Sequence, residues 1–388
     1  MRSRNLLLAL LLWYSVNQPA AAEQKTSTAI IRTNASLPLA SALSPDRWQQ
    51  VEKSVDRALN WMASQQAADG SFATLPTGQP GVTSLSVMAF LSRGHQPGIG
   101  PYGSHINKAI DFTLTRQRAD GLISQETNDP TDFRETALYA AVYNHAISGL
   151  MLGEVYGQVN GARAMAVKQA IERALQFSRQ LQLRRKPAEE KGGWRYVTIT
   201  RAPGDSDLSV TGWQLMFLRS ARNAEFNVPQ EYVDEAMAYV RRLFDPASGM
   251  FYYKKMGGVG MKPSRGLAGV GILSLSMGGD HQSAMARAAG DWLLAHPYRR
   301  FGDLIGEADK FFYSTYYCSQ AMAQLGGHYW EQFFPGLAKV LLTSQAANGS
   351  WPLEVDAGNE AVYGNVYTTA MAVLSLTPPY QLLPVYQR

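Results

Sequence analysis

Two kinds of hydrophobic segment alternate along this chain. In the first kind, apolar residues recur every three or four positions with polar residues between them: ALNWMAS (58 to 64), AIDFTLT (109 to 115), ALQFSRQ (174 to 180), EAMAYVRRLF (235 to 244), AAGDWLL (288 to 294) and GLAKVLLTS (336 to 344). That spacing predicts helices with one face in water. The second kind is apolar or small on most sides: SLSVMAFLSRG (84 to 94), NHAISGLMLGEVYG (144 to 157), SVTGWQLMFLRS (209 to 220), LAGVGILSLSMGG (267 to 279), YYCSQAMAQLGG (316 to 327) and YTTAMAVLSL (367 to 376). Helices of this composition are buried all round, so six inner helices are expected to follow six outer ones.

A short phrase separates each outer helix from the inner helix after it. It is clearest near the two ends, as QQAADGSF at 65 to 72 and SQAANGSW at 344 to 351. Weaker forms are RADGLI (118 to 123), GGWRY (192 to 196), LFDPASGMFYY (243 to 253) and RRFGDLIG (299 to 306). With Gly70, Gly121, Gly193, Gly249, Gly302 and Gly349 as markers, the intervals are 51, 72, 56, 53 and 47 residues. The Asp-Gly and Asn-Gly steps supply a left-handed residue that ends a helix, which glycine adopts without a Cβ clash. An open array of repeats would have polar terminal copies, whereas here the first and last keep the motif best, so a closed ring is expected.

The Gln, Gly and aromatic spacing resembles the QW-type repeats of squalene-hopene and oxidosqualene cyclases. DLSVTGWQLMFL (207 to 218) and YGNVYTTAMAVLSL (363 to 376) are similar to the prenyltransferase and squalene-oxidase repeat proteins of bacteria. The resemblance spans about residues 50 to 380 and implies an all-α, (α/α)6 toroid of six helix-pair repeats. It says little about activity, because one fold hosts unrelated chemistries.

Residues 1 to 22 carry Arg2 and Arg4, an apolar core from Leu6 to Trp13, and Ala20, Ala21 and Ala22 before Glu23. This reads as a secretory signal peptide, its apolar core too short for a membrane span. Residues 23 to 44, rich in Ser, Thr, Ala and Pro, read as a disordered lead-in, and residues 45 to 388 as one toroid domain. The mature protein would then be periplasmic or extracellular. The 36 basic and 31 acidic residues become 34 and 31 once Arg2 and Arg4 are removed, a charge of +3, too weak and scattered to bind nucleic acid. The one dense cluster, RRKPAEEK at 184 to 191, mixes both signs and reads as a solvated loop. Cys318 is the single cysteine, so an internal disulfide is impossible.

The cyclase resemblance implies a desolvated carboxylic acid in a DxDD motif at the start of an inner helix, protonating an alkene. GDSDLSVTGW places Asp205 and Asp207 there, with Leu208 in place of the last acid; a shifted register would put Ser209 at the protonating position. The bland reading of both aspartates is helix capping. Asp207 is the first candidate acid. There is no Asp-Asp pair for a diphosphate-binding motif. The zinc site of related protein prenyltransferases would have Tyr316 in place of its Asp and Thr368 in place of its His, so no metal and no cofactor are expected. Thioester chemistry would need Gln where Ala321 stands. Cys318 reads as a buried structural thiol.

His145 is the histidine expected to reach the ring's interior, either as a hydrogen-bonded core residue or as a ligand contact. MGGVGMKPSRGLAGVG (256 to 271) lacks the ending of a phosphate loop and reads as close helix packing with a loop at the ring mouth, Lys262 and Arg265 being possible anion contacts. Aromatic residues gather at the starts of the inner helices. Trp351 belongs to the repeat itself, whereas Trp213, Tyr316, Tyr317, Tyr363 and Tyr367 are candidates to line a cavity that stabilises a carbocation or holds a lipid. Three functions follow: an exported isoprenoid enzyme, a non-catalytic toroid binding a hydrophobic small molecule or a partner protein, and a carbohydrate-active toroid. The last would pair Asp205 and Asp207 with Glu307, Asp309 or Glu360.

Overall fold

The computed structural model describes residues 39–125, 134–197, 205–256, 259–260, 264–305, 309–354 and 363–387. The expected signal peptide and most of the expected lead-in, and also Lys262, Glu307 and Glu360, lie outside the described residues. Among the described residues twelve α-helices form six pairs: α1 (Pro45–Ser64) with α2 (Gly81–Ser92), α3 (Gly103–Thr115) with α4 (Arg134–Tyr156), α5 (Gly161–Gln182) with α6 (Leu208–Asn223), α7 (Gln230–Arg242) with α8 (Arg265–Met277), α9 (Ala284–Ala295) with α10 (Phe311–Leu325), and α11 (Gly327–Ser344) with α12 (Gly364–Leu376). The described residues also hold four two-residue strands in two small antiparallel ladders: β1 (Phe244–Asp245) with β2 (Met250–Phe251), and β3 (Lys255–Met256) with β4 (Val259–Gly260).

The even-numbered helices pack side by side in the order α2, α4, α6, α8, α10, α12, and α12 packs on α2. Each odd-numbered helix packs outside the inner helix that precedes it, α3 on α2 through to α11 on α10, and α1 completes the circuit on α12. The expected double ring is therefore closed. Burial follows the sequence pattern: every residue of α2 and α8 is buried, while α7 buries only the stripe Val233, Ala236, Met237, Tyr239 and Val240. An inner helix touches an outer layer on one side and its ring neighbours on the others, which leaves no face for water. Gly269 shows how close that packing is, since a Cβ there would meet the Tyr317 and Cys318 backbone within 3 Å.

The repeat phrase is a clamp. Gln66 Nε2 donates to the carbonyls of Gly70 (3.0 Å) and His105 in α3 (2.8 Å). Gln117 does the same to Gly121 (3.1 Å) and Ala170 in α5 (2.9 Å), and Gln182 to Gly192 (2.8 Å) and Tyr232 in α7 (3.0 Å). Gln345 bonds Gly349 (2.8 Å) and Ser54 in α1 (2.9 Å), so the last copy ties the ring shut. Gly70, Gly121, Gly192 and Gly349 have φ of +94°, +93°, +93° and +96°, and a Cβ at any of them would press under 3.0 Å against a carbonyl of the next outer helix. The marker of the third repeat is thus Gly192, not Gly193. Gly193 is needed for a different approach, since its Cβ would collide with the Tyr239 ring and Ser206.

The chain ends in two 3-10 turns, Pro378–Tyr380 and Pro384–Tyr386, which lie against the C-terminal ends of the inner helices. Asn223 Nδ2 donates to the Pro384 carbonyl (2.9 Å), Gln324 Nε2 to that of Tyr386 (2.6 Å), and the Val385 N–H to Glu154 Oε2 (3.3 Å). The Tyr386 hydroxyl meets that of Tyr316 inside the ring. No helix among the described residues is long and apolar enough to cross a membrane.

Candidate functional site at the mouth of the inner ring

The site begins with a buried tryptophan. In the repeat, the N–H of the aromatic residue after the glycine donates to a threonine on the following inner helix: Phe72 to Thr83 (3.0 Å), Trp194 to Thr211 (3.1 Å) and Trp351 to Thr369 (3.1 Å). Trp194 also donates its Nε1 to the Ser178 carbonyl (2.7 Å). Its own carbonyl accepts from the Asp207 N–H (3.0 Å), so the segments before α6 run antiparallel as an isolated bridge. Successive side chains of an extended segment point to opposite sides, and Trp194 inward therefore puts Arg195 outward, beside Asp207.

Asp207 caps α6. Its Oδ1 accepts from the Val210 N–H and the Ser209 hydroxyl, both at 2.8 Å, and its Oδ2 from Arg195 Nη1 at 2.9 Å. Arg195 Nε pairs with Asp205 Oδ2 at 3.1 Å, and Lys254 Nζ reaches the same oxygen at 3.3 Å. Arg195 also donates to the Tyr253 hydroxyl (3.0 Å), which bonds that of Tyr196 (2.7 Å), while Tyr143 from α4 bonds Ser209 (2.6 Å). The guanidinium carbon lies 4.4 Å from the Tyr196 ring centre and 5.4 Å from that of Tyr253. Two cations and two carboxylates thus meet among three half-buried tyrosines at the N-terminal end of the inner ring.

Burial pushes the Asp207 carboxyl above its ordinary value, and Arg195, the Val210 N–H and the Ser209 hydroxyl oppose that shift. Burial by itself would lower the Arg195 guanidinium, but Asp207, the Tyr253 and Tyr196 phenols and Asp205 together hold it raised. Asp207 is 0 % exposed and accepts from Arg195, the Ser209 hydroxyl and the Val210 N–H. Of the two roles expected for Asp207, helix cap and proton-donating acid, the capping geometry is the one seen, with Arg195 bonded to the other oxygen. Asp205, with its side chain 43 % exposed, faces solvent between Arg195 and Lys254.

The other expected residues fall in three places. His145 is a wall residue and not a ligand contact: its Nδ1 accepts from the Ile123 N–H (3.1 Å), filling the place of the threonine in other repeats, and its Nε2 meets Ser178 (3.0 Å). Burial lowers its pKa to about 4, which keeps it neutral. Arg265 is no anion contact either. It is 1 % exposed, its Nε bonds Asp309 Oδ2 (2.9 Å), and its guanidinium also bonds the Asp303 carbonyl and stacks 4.0 Å from the Tyr298 ring centre. Asp309, engaged there and fully buried, is equally unable to face a substrate. Cys318 donates to the Arg265 carbonyl (3.1 Å), and burial raises its thiol to about 12.

Trp213, Tyr316 and Tyr317 form a packed floor. Trp213 stacks on Tyr316 at 5.5 Å and meets Tyr317 edge-on at 5.4 Å, each ring almost wholly buried. These three fill the ring's interior instead of lining an open cavity. Tyr363 and Tyr367 sit at the start of α12 with ring centres 5.6 Å apart, Tyr363 half-buried and Tyr367 9 % exposed. Sequence reasoning missed Arg195, Tyr143 and Lys254. The signal for Arg195 was a charge directly after the buried aromatic, where Ala73 and Pro352 stand in the first and last repeats. A groove of about 680 Å³ lies elsewhere, on the outer layer between α5 and α7 beside Arg179, Phe226 and Tyr232.

No protein-family model and no curated protein matches the chain by sequence. Solved structures do match its shape. A variant of the type II terpene cyclase MstE from Scytonema, in complex with geranylgeranyl dihydroxybenzoate, superposes with a TM-score of 0.53 and 13% identity, covering 87% of this chain and 99% of the cyclase. An inactive variant of the GH76A α-1,6-mannanase of Salegentibacter with α-1,6-mannotetrose gives 0.59 and 12%, covering 86% and 99%. A GH76 α-mannanase from Bacteroides thetaiotaomicron gives 0.59 and 12%, covering 89% and 98%. At these identities the likeness is one of fold, and the fold of this chain is the α/α toroid that a terpene cyclase and two mannanases also have.

Proposed function

We propose that the mouth of the inner ring binds a neutral, hydroxyl-rich chain, an oligosaccharide, on an exported protein. The observation that carries this reading is the charge-balanced cluster of Arg195, Lys254, Asp205 and Asp207 among tyrosines. Its charges cancel, so it offers no net attraction to a diphosphate or a nucleic acid. Phenol rings present apolar faces to the C–H faces of a sugar, and their hydroxyls, with Asp205 and Arg195, match sugar hydroxyls. A purely hydrocarbon chain would instead strip water from those polar groups without replacing its hydrogen bonds. That the mannanase fold accommodates α-1,6-mannotetrose supports the reading.

Binding, and not hydrolysis by an aspartate pair, is the activity assigned. The inactive mannanase variant has two adjacent aspartates replaced, and this chain has no Asp-Asp pair. The half-buried rings of Tyr143, Tyr196 and Tyr253 also favour a second reading, an isoprenoid seated against aromatic faces as the terpene cyclase fold allows. A glycan array of neutral and acidic oligosaccharides, run beside lipid extraction and mass spectrometry of the purified protein, separates the two. Binding to neutral glycans that disappears in Tyr253→Ala supports the first; an empty array with a polyprenyl passenger in the extract overturns it.

A further inference from the structure

The third repeat, which carries the charged cluster, has a longer clamp than its counterparts. Gln and Gly are four residues apart in Gln66–Gly70, Gln117–Gly121 and Gln345–Gly349, but ten apart in Gln182–Gly192. Gln182 still makes the same two bonds as the others. The ring does not need the extra residues, so they serve something local to this repeat.

Most of the insertion faces water, including Leu183, Arg184, Arg185, Pro187, Ala188 and Glu189. Lys186 and Glu190 turn inward and are 9 % and 7 % exposed, against the expectation of a wholly solvated charged loop. The Lys186 ammonium donates to the Gly193 carbonyl. Glu190 Oε2 accepts from the Ser206 N–H (2.9 Å), and the Glu190 carbonyl from the Ser206 hydroxyl (2.7 Å). Gly193 directly precedes Trp194 and Arg195, and Ser206 stands between Asp205 and Asp207. The insertion therefore grips both sides of the Trp194–Asp207 bridge. Arg242 at the end of α7 anchors it in turn, donating to the Glu189 carbonyl (3.2 Å) and to that of Lys191.

We infer that the Leu183–Lys191 insertion is a brace that sets the orientation of Arg195 and Asp205, with Lys186 and Glu190 as its positioning residues. The inference rests on the reading of that cluster as the binding site. Lys186 also adds a positive charge beside Asp205, Asp207 and Glu190, with Arg184 opposing it from the same loop, so its loss removes one of the charges that offset those carboxylates. A side chain held by two carboxylates whose backbone is itself fixed stays in one rotamer; released from the brace, it samples others.

Two variants test this. Excising residues 183 to 188 gives the third clamp the spacing of the first, and Lys186→Met removes only the ammonium. Circular dichroism and thermal unfolding report the fold, and hydrogen exchange of the Arg195 Nε–H by NMR on 15N-arginine protein reports the brace. Both variants are expected to keep their helix content and cooperative unfolding while Arg195 exchange speeds up by about tenfold, with Lys186→Arg restoring protection. Exchange within about twofold of wild type in both variants overturns the inference, and so does outright unfolding of both, which would make the segment scaffold. If Arg195 is mobilised yet the wild-type protein binds no glycan on the array, the brace stands and the oligosaccharide reading falls.

Discussion

A glutamine amide in a helical repeat has one carbonyl and two N–H groups, and four copies here spend both N–H groups on backbone carbonyls of two different segments. Its carbonyl finds local partners that vary: His105 for Gln66, Arg179 for Gln182, and Ser54 for Gln345. The glycine at the other end of each clamp works by lacking a side chain. Gly349, with φ of +96°, lies where a Cβ would strike the Arg57 carbonyl, whereas Gly302, with φ of +67°, has open space around it. Gly349→Ala should therefore cost several kcal/mol, backbone strain plus a collision, and Gly302→Ala about 1 kcal/mol of strain alone. Urea unfolding of both variants checks this, and equal losses would contradict it. At this scale the sequence is a fair guide to glycines and glutamines, whose roles are local. It leaves His145, which stands where three other repeats have threonine, undecided between core residue and ligand contact, because a hydrogen bond to the Ile123 N–H leaves no periodic trace.

Helices were legible because burial is periodic. The alternation of one-faced and uniformly apolar segments marks all twelve, and the repeat phrase marks the turns between them. The site was far less legible, since it is built in the stretches between helices, where period carries no information. Asp205 and Asp207 could be found by their place before α6, but Arg195 and Lys254 reach them from sites 10 to 49 residues away in sequence, and Tyr253 joins only through Arg195. Lys186 and Glu190 were hidden inside a run of mixed charge whose other members do face water. The clamps also make a claim about closure that a single helix cannot. Removing the amide in Gln345→Leu should cost about 2 kcal/mol, two backbone carbonyls losing their donor, and as much as Gln117→Leu in the second repeat. In an open arc the terminal clamp would hold only its own loop, so a Gln345→Leu loss well below that of Gln117→Leu in denaturant titrations would argue against the seam.

Over the whole molecule, the ring is closed laterally by α12 on α2 and α1, and its far end is covered by the chain's own C-terminal turns. Glu154 stands at that cover. It is 4 % exposed, its Oε1 accepts from the Ser220 hydroxyl (2.6 Å), and its Oε2 from the Val385 N–H. Burial raises its pKa from 4.5 to about 7, the two hydrogen bonds offsetting only part of the cost of a buried charge. Between those two values the unfolded chain has released this proton while the folded chain still holds it. Stability therefore falls as pH rises through the window, by about 3 kcal/mol in all, and the loss is complete above pH 7. Glu154→Gln carries no proton to lose and removes this dependence. The expected outcome is a free-energy difference between variant and wild type that shifts toward the variant by roughly 2 to 3 kcal/mol from pH 5 to pH 8, read from urea midpoints. Because every other titrating group is common to both proteins, the difference isolates this carboxyl. Parallel curves across that range would mean that Glu154 titrates normally, and that the C-terminal turns do not seal it from water.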